Sequence, residues 1–268
     1  MKDIRIAAVI FNSALNQTQR NLNRMHPWIG KAKKEGADIV CFPELNVTGY
    51  TTRPAIKDTA ESVPGPISRS VQELAREYQI AILAGLAEKD EKARIFASHI
   101  VATPEKISGV YRKIHIAPPE KNIFSPGGSI PLFNFQGVKF GIQLCYDAHF
   151  PALSTRMAVD GADVIFMPHA SPRGKPQEKF DSWMRHLTAR SYDNSLFIVA
   201  CNQVGKNSNG LDFPGIAVVI DPSGNILQKN THGKEDMLIA DLKADALDSV
   251  RNHRMRYFLP NRRPELYR

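Results

Sequence analysis

The chain has 268 residues, 43% hydrophobic and 23% charged with a net charge of +8, enough to bury a sizeable core. No stretch approaches the ~18 apolar residues of a membrane span, and the opening MKDIRIAAVIF is too short an apolar run, interrupted by Arg5, for a signal peptide. Three widely spaced cysteines, at 41, 145 and 201, argue against a disulfide framework and for a reducing, cytoplasmic setting.

In chain order, IRIAAVIF (4–11) reads as a strand. Leu22, Met25, Ile29 and Ala32 recur at helical spacing over 17–35, and Gly36 stops that helix. ADIVCF is a continuous apolar strand ended by Pro43. A helix fits 67–78, and the strands IAILAGLAE and FASHIVAT follow. GVYRKIHI then leads into the Pro/Gly-rich loop APPEKNIFSPGGS. The strand pair IPLFNF and VKFGIQLC precedes a helix over 152–160, the strand DVIFMP and a helix over 177–193. LFIVACNQV, GIAVVID and MLIADL are strands, with DPSG (221–224) a turn. Buried β runs alternating with helices predict an α/β fold with helices covering the sheet faces. No linker divides the chain, so residues 1–268 are expected to form one domain.

GADIVCFPE (36–44) and GADVIFMPH (161–169) share one pattern, each after a helix-like segment. Proline cannot donate to a strand ladder, so each strand ends there and delivers Glu44 or His169 to a sheet rim. The match fits two ordinary helix-to-strand junctions as well as an internal pseudosymmetry.

Glu44, Lys113 and Cys145 all end or interrupt apolar strands. A free thiol with pKa near ~8.5 needs a base or cation to act as nucleophile. A glutamate in an apolar pocket becomes able to accept that proton, and a lysine can stabilise an oxyanion. Each residue alone also fits a plain structural role: a cysteine in an apolar strand is usually core, the reading given to Cys41 and Cys201. Cys145 and His149 would share a helix face, but Pro151 and the polar residues after the strand favour a turn. The other histidines lack metal-ligand spacing, so no metal or cofactor is expected.

FPELNVTGY (42–50), YRKIHI (111–116) and CYDAHFP (145–151) resemble, in order and spacing, the nitrilase superfamily of carbon–nitrogen hydrolases. The resemblance spans nearly the whole chain, including GADVIFMP and RRPELY. It implies a four-layer α-β-β-α sandwich and a Glu-Lys-Cys catalytic set at Glu44, Lys113 and Cys145. It also places a second glutamate at Glu120, Tyr50 in the pocket, and the Tyr146 backbone N–H beside Lys113 in an oxyanion hole. Relatives that act on nitriles follow the cysteine with Trp-Glu, whereas this chain has Tyr146-Asp147, as amidases and carbamoylases do. The expected substrate is therefore a small linear amide or N-carbamoyl compound, with nitrile hydrolysis the alternative. PHASPRG (168–174) departs from the usual small or hydroxyl residues and brings His169 and Arg173 toward the pocket. Arg173 is either a receptor for a substrate carboxylate or a solvent-facing loop residue.

The tail 251–268 holds six arginines against Glu265, leaving +3 for the rest of the chain. A basic arm for nucleic acid would have this charge, which is the non-enzymatic alternative. The tail also carries Met255, Tyr257, Phe258, Leu259, Leu266 and Tyr267, which suits packing against another surface. The family resemblance implies a homodimer or larger even assembly with this segment at the subunit contact.

Overall fold

The computed structural model describes residues 1–266; Tyr267 and Arg268 of the tail lie outside the described residues. β1 (Ile4–Ile10) is buried on both faces, with Ile6, Ala8 and Ile10 alternating with Ala7 and Val9. Such a strand has to be covered on both sides. One side meets a second sheet, and the other meets helices.

In spatial order the first sheet contains β14 (Asp236–Leu242), β1, β2 (Ile39–Cys41), β3 (Ala81–Lys89), β4 (Ile95–Ala102) and β5 (Ile107–Arg112). The second contains β6 (Phe133–Phe135), β7 (Val138–Ile142), β8 (Val164–His169), β9 (Phe197–Asn202), β12 (Ala217–Ile220) and β13 (Ile226–Asn230). Taken in these directions both sheets show one succession of pairings: antiparallel, parallel, parallel, antiparallel, antiparallel. The last ladder of each carries a β-bulge, at Val101/Ala102 and at Val219/Ile220. β2 and β8 hold equivalent places. The repeated Gly-Ala-Asp segment is therefore the trace of two matching halves.

β1 packs face to face on β9 and β12, and a bridge between Phe11 and Gln203 joins the sheets at one rim. β10 (Val204–Lys206) and β11 (Asp212–Pro214) form a separate hairpin. On the outer face of the first sheet, α1 (Thr18–Lys34) and α2 (Pro66–Tyr78) bury Leu22, Met25, Ile29, Val71 and Leu74 against Val9, Val40 and Ile82. α3 (Pro151–Val159), α4 (Pro176–Met184) and α5 (Leu187–Asn194) cover the second sheet. The architecture is the α-β-β-α sandwich that the resemblance implied.

The expected helix over 177–193 is two helices, α4 and α5, which meet at Arg185 and His186. The strands foreseen as IPLFNF and VKFGIQLC are shorter, ending as β6 and β7. β13 was not expected: four of its five residues are exposed, so it carries no apolar pattern. After α6 (Ala244–Arg251), Arg251 anchors the tail to Asp163 and the Ala162 carbonyl at 2.8 and 2.7 Å. Phe258 packs on Tyr192 of α5, while Met255 and Leu266 remain exposed. No helix among the described residues is long and apolar enough to cross a membrane.

Candidate active site

β2 ends at Cys41, two residues before Pro43, and Glu44 emerges fully buried at the rim. Lys113 directly follows β5; its N–H donates to Ala97 at 2.9 Å and its carbonyl accepts from Gly127 at 2.8 Å. Glu120 closes a short 3-10 turn over Pro118–Glu120, where its own carboxylate accepts the Ala117 N–H at 3.1 Å. After β7 the Gln143 N–H still pairs with Phe166, and the chain then turns at Cys145. Cys145 opens a 3-10 turn over Cys145–His149 with φ +43°, a left-handed conformation that disfavours side chains. The turn expected between Cys145 and Pro151 is present in this form.

These strand ends converge. Lys113 Nζ donates to Glu44 Oε1 at 2.8 Å and to Glu120 Oε1 at 3.0 Å, all three side chains being buried. The Tyr50 hydroxyl donates to Glu120 Oε1 at 2.9 Å, and the Ala170 N–H donates to Glu44 Oε2 at 3.0 Å. Burial raises the Glu44 pKa to about 7, with Lys113 opposing and the Glu120 charge adding to the rise. Burial would lower Lys113, but Glu44, Glu120 and the Cys145 thiol outweigh it and hold the ammonium protonated. Burial pushes the Cys145 thiol up to about 12, Glu44 pushing the same way and Lys113 opposing. At neutral pH the site thus holds a protonated thiol, a carboxylate poised to change protonation, and a fixed cation. A thiol in that state needs a general base at the moment of attack.

Asp147, which sequence reasoning left without a role, fixes the turn that carries the thiol. Its fully buried carboxylate accepts from the Tyr111 hydroxyl at 2.7 Å, the Leu144 N–H at 3.1 Å and the His115 N–H at 2.8 Å. His115 Nδ1 also lies 2.8 Å from it, and the His115 ring stacks on Phe150 at 3.6 Å. The Tyr146 N–H, expected in the oxyanion hole, takes no acceptor among the described residues. The one available signal for Asp147 was an acid just past a strand end.

Tyr50 lies in this cluster and meets Phe213 edge-on. His169 is buried; its ring packs on Trp183 at 4.2 Å and its Nδ1–H donates to the Met167 carbonyl at 2.7 Å. The contact from this strand end to Glu44 is made by the next residue, Ala170, through its backbone. Arg173 is exposed, on a left-handed turn whose N–H bonds the Asp212 carbonyl. The nearer cation is Lys179 of α4, which the sequence did not single out: its Nζ donates to Ser171 Oγ at 2.8 Å and the Pro172 carbonyl at 3.0 Å. A groove of about 780 Å³ lined by Glu61, Glu88, Asp90, Arg94 and Arg112 contains none of these groups. No cluster of three or more His, Cys, Asp or Glu among the described residues forms a metal-holding set.

A sequence model of the family described as carbon-nitrogen hydrolase matches residues 5–252. A protein named nitrilase from Pyrococcus abyssi is 30% identical over 274 residues, covering 98% of this chain and 99% of that one. An (R)-stereoselective amidase of a Pseudomonas species is 30% identical over 217 residues, covering 80% of this chain and 76% of its own. The crystal structure of an amidase from a Nesterenkonia species superposes with a TM-score of 0.85 at 24% identity, covering 98% of this chain and 95% of that chain. The family match runs from β1 through α6 and contains the thiol with all its ionic neighbours, so the chain belongs to the carbon–nitrogen hydrolase family.

Proposed function

We propose that the chain hydrolyses a small linear amide or N-carbamoyl compound by acyl transfer to Cys145. The observation that carries this reading is the buried Glu44–Lys113–Glu120 ion cluster beside the thiol. Glu44 takes the thiol proton as sulfur attacks the carbonyl carbon. Lys113 and the Tyr146 N–H receive the oxyanion. Collapse expels the amine or ammonia, which takes the proton from Glu44, and leaves a thioester. Water, deprotonated by Glu44, then attacks the thioester; the acid departs and the thiol is regenerated. Glu120, held by Tyr50, keeps Lys113 directed between the two carboxylates. The Tyr146-Asp147 pair supports amide over nitrile chemistry, while the Pyrococcus relative's name keeps nitriles as the second reading.

Ammonia release from a panel of amides, ω-amides, N-carbamoyl compounds and nitriles tests the reading. Turnover should be confined to the amide-type compounds and vanish in Cys145→Ala, with a slow substrate leaving an acyl adduct on Cys145 by mass spectrometry. An adduct on Cys41 or Cys201, or activity on nitriles alone, sinks it.

The same reading covers the surroundings: a single domain, in a reducing cytoplasm that suits three free cysteines, without a nucleic-acid partner. Exposed Val159, Tyr192, Met255 and Leu266 along α3, α5 and the tail support self-association into a homodimer or larger even assembly. Light scattering on a chain lacking 251–268 should show a smaller assembly. An unchanged one rejects that role for the tail.

A further inference from the structure

Lys179 is a half-buried cation beside the catalytic cluster that no step of the mechanism uses. It lies on the inward face of α4, one turn before Trp183, whose ring packs on His169. Its Nζ donates to Ser171 and Pro172, the residues that follow the Ala170 N–H donor to Glu44. That segment is held from its other side by Asn202, which exchanges hydrogen bonds of 2.9 and 3.0 Å with Ser171. The ammonium is therefore fixed in place on a rigid support. An ammonium has three donors, and two are used.

What Lys179 lacks is an anion. Among the described residues no carboxylate lies within ion-pair distance of it. The ionisable groups that feel its charge include the Cys145 thiol and the His169 imidazole. Burial lowers its pKa, and the thiol alone offsets this. A partly desolvated cation without a counter-ion is costly unless something bound there supplies the charge.

Resting on the hydrolase reading above, we propose that Lys179 forms an anion subsite that receives a carboxylate on the acyl part of the substrate. The preferred substrates are then the monoamides of dicarboxylic acids, together with N-carbamoyl acids that lose ammonia and so keep the carboxylate on the acyl part. The exposed Arg173 is not this receptor. Lys179 is a specificity residue; the bond-breaking steps stay with Cys145, Glu44 and Lys113.

The test compares an anionic monoamide with a neutral amide of equal chain length. On the unaltered chain the anionic compound should have the higher kcat/KM, and equal or lower values overturn the proposal. In Lys179→Met the preference should fall about 10- to 100-fold, through KM, with partial recovery in Lys179→Arg. If both substrates lose activity by one factor, Lys179 only braces the 170–172 segment and the proposal fails. Calorimetric titration of Cys145→Ala, with and without Lys179→Met, separates this from the hydrolase reading. Lys179-dependent binding of the anionic amide, with no turnover of any compound by the unaltered chain, rejects the hydrolase and keeps the subsite. Lys179-independent binding, with turnover of neutral amides, keeps the hydrolase and rejects the subsite.

Discussion

The Ala170 N–H donates to Glu44 Oε2 at 3.0 Å, joining the carboxyl ends of β2 and β8, equivalent strands of the two sheets. The repeated segments thus meet at the site itself. One contributes a carboxylate and the other a backbone donor that favours its charged form. That donor and Lys113 oppose the burial that raises Glu44.

As the proposed base, Glu44 has to be ionised to accept the thiol proton, so kcat/KM should climb with pH and level off above a midpoint of about 7. Below the midpoint the slope should approach tenfold per pH unit. The thiol, at about 12, adds no ionisation in this range. A profile that stays flat between pH 5 and 9 removes Glu44 from the role of base.

Glu120→Gln takes away one of the two carboxylates that flank Lys113 Nζ. The amide keeps the acceptor for Tyr50 but not the charge, so the ammonium is drawn toward Glu44 and away from the oxyanion position. Steady-state kinetics should show kcat lower by about 10²-fold, with KM changed far less. Near-normal kcat would make Glu120 a loop residue.

Asp147→Asn places an NH₂ where one carboxylate oxygen accepts either from Tyr111 and Leu144 or from His115. The mismatch is buried, so denaturant unfolding should report a loss of about 2 kcal/mol. Activity should fall as well, since the same contacts hold the Cys145 turn. Tyr111→Phe, which removes one donor and leaves the other contacts, should be milder on both counts.

His99 on β4 is fully buried, and neither ring nitrogen reaches a partner in good hydrogen-bond geometry. Burial lowers its pKa from 6.5 to about 3. Between those values the unfolded chain binds the proton that the folded chain refuses, so stability falls as pH drops below 6.5. This group alone contributes a slope of up to about 1.4 kcal/mol per pH unit. Unfolding at pH 7 and pH 5 should show the loss, and His99→Leu should flatten it.

Pro168 does not end its strand, since β8 runs on to His169 beside Asn202, but the apolar strands themselves were legible because β burial is a local property. So were Glu44, Lys113 and Cys145, each at the end of such a strand. Asp147 was not legible, since its partners Tyr111 and His115 come from a different sheet edge. Lys179 carried no signal in the sequence, since only tertiary packing brings it to Ser171. The break between α4 and α5 has neither glycine nor proline to mark it. β13 pairs through its backbone while exposing most of its side chains, so its pattern was silent.

Division of the site between two matching halves has a kinetic consequence. Each sheet can gather its own strands, yet Glu44 lies in the first half while Ala170 and Cys145 lie in the second. Contacts between groups so far apart in sequence are late and slow to form. On refolding, secondary structure should therefore return ahead of catalysis, with the lag set by docking of one sheet upon the other. A chain caught before that step would have native-like strands and an exposed thiol without its base.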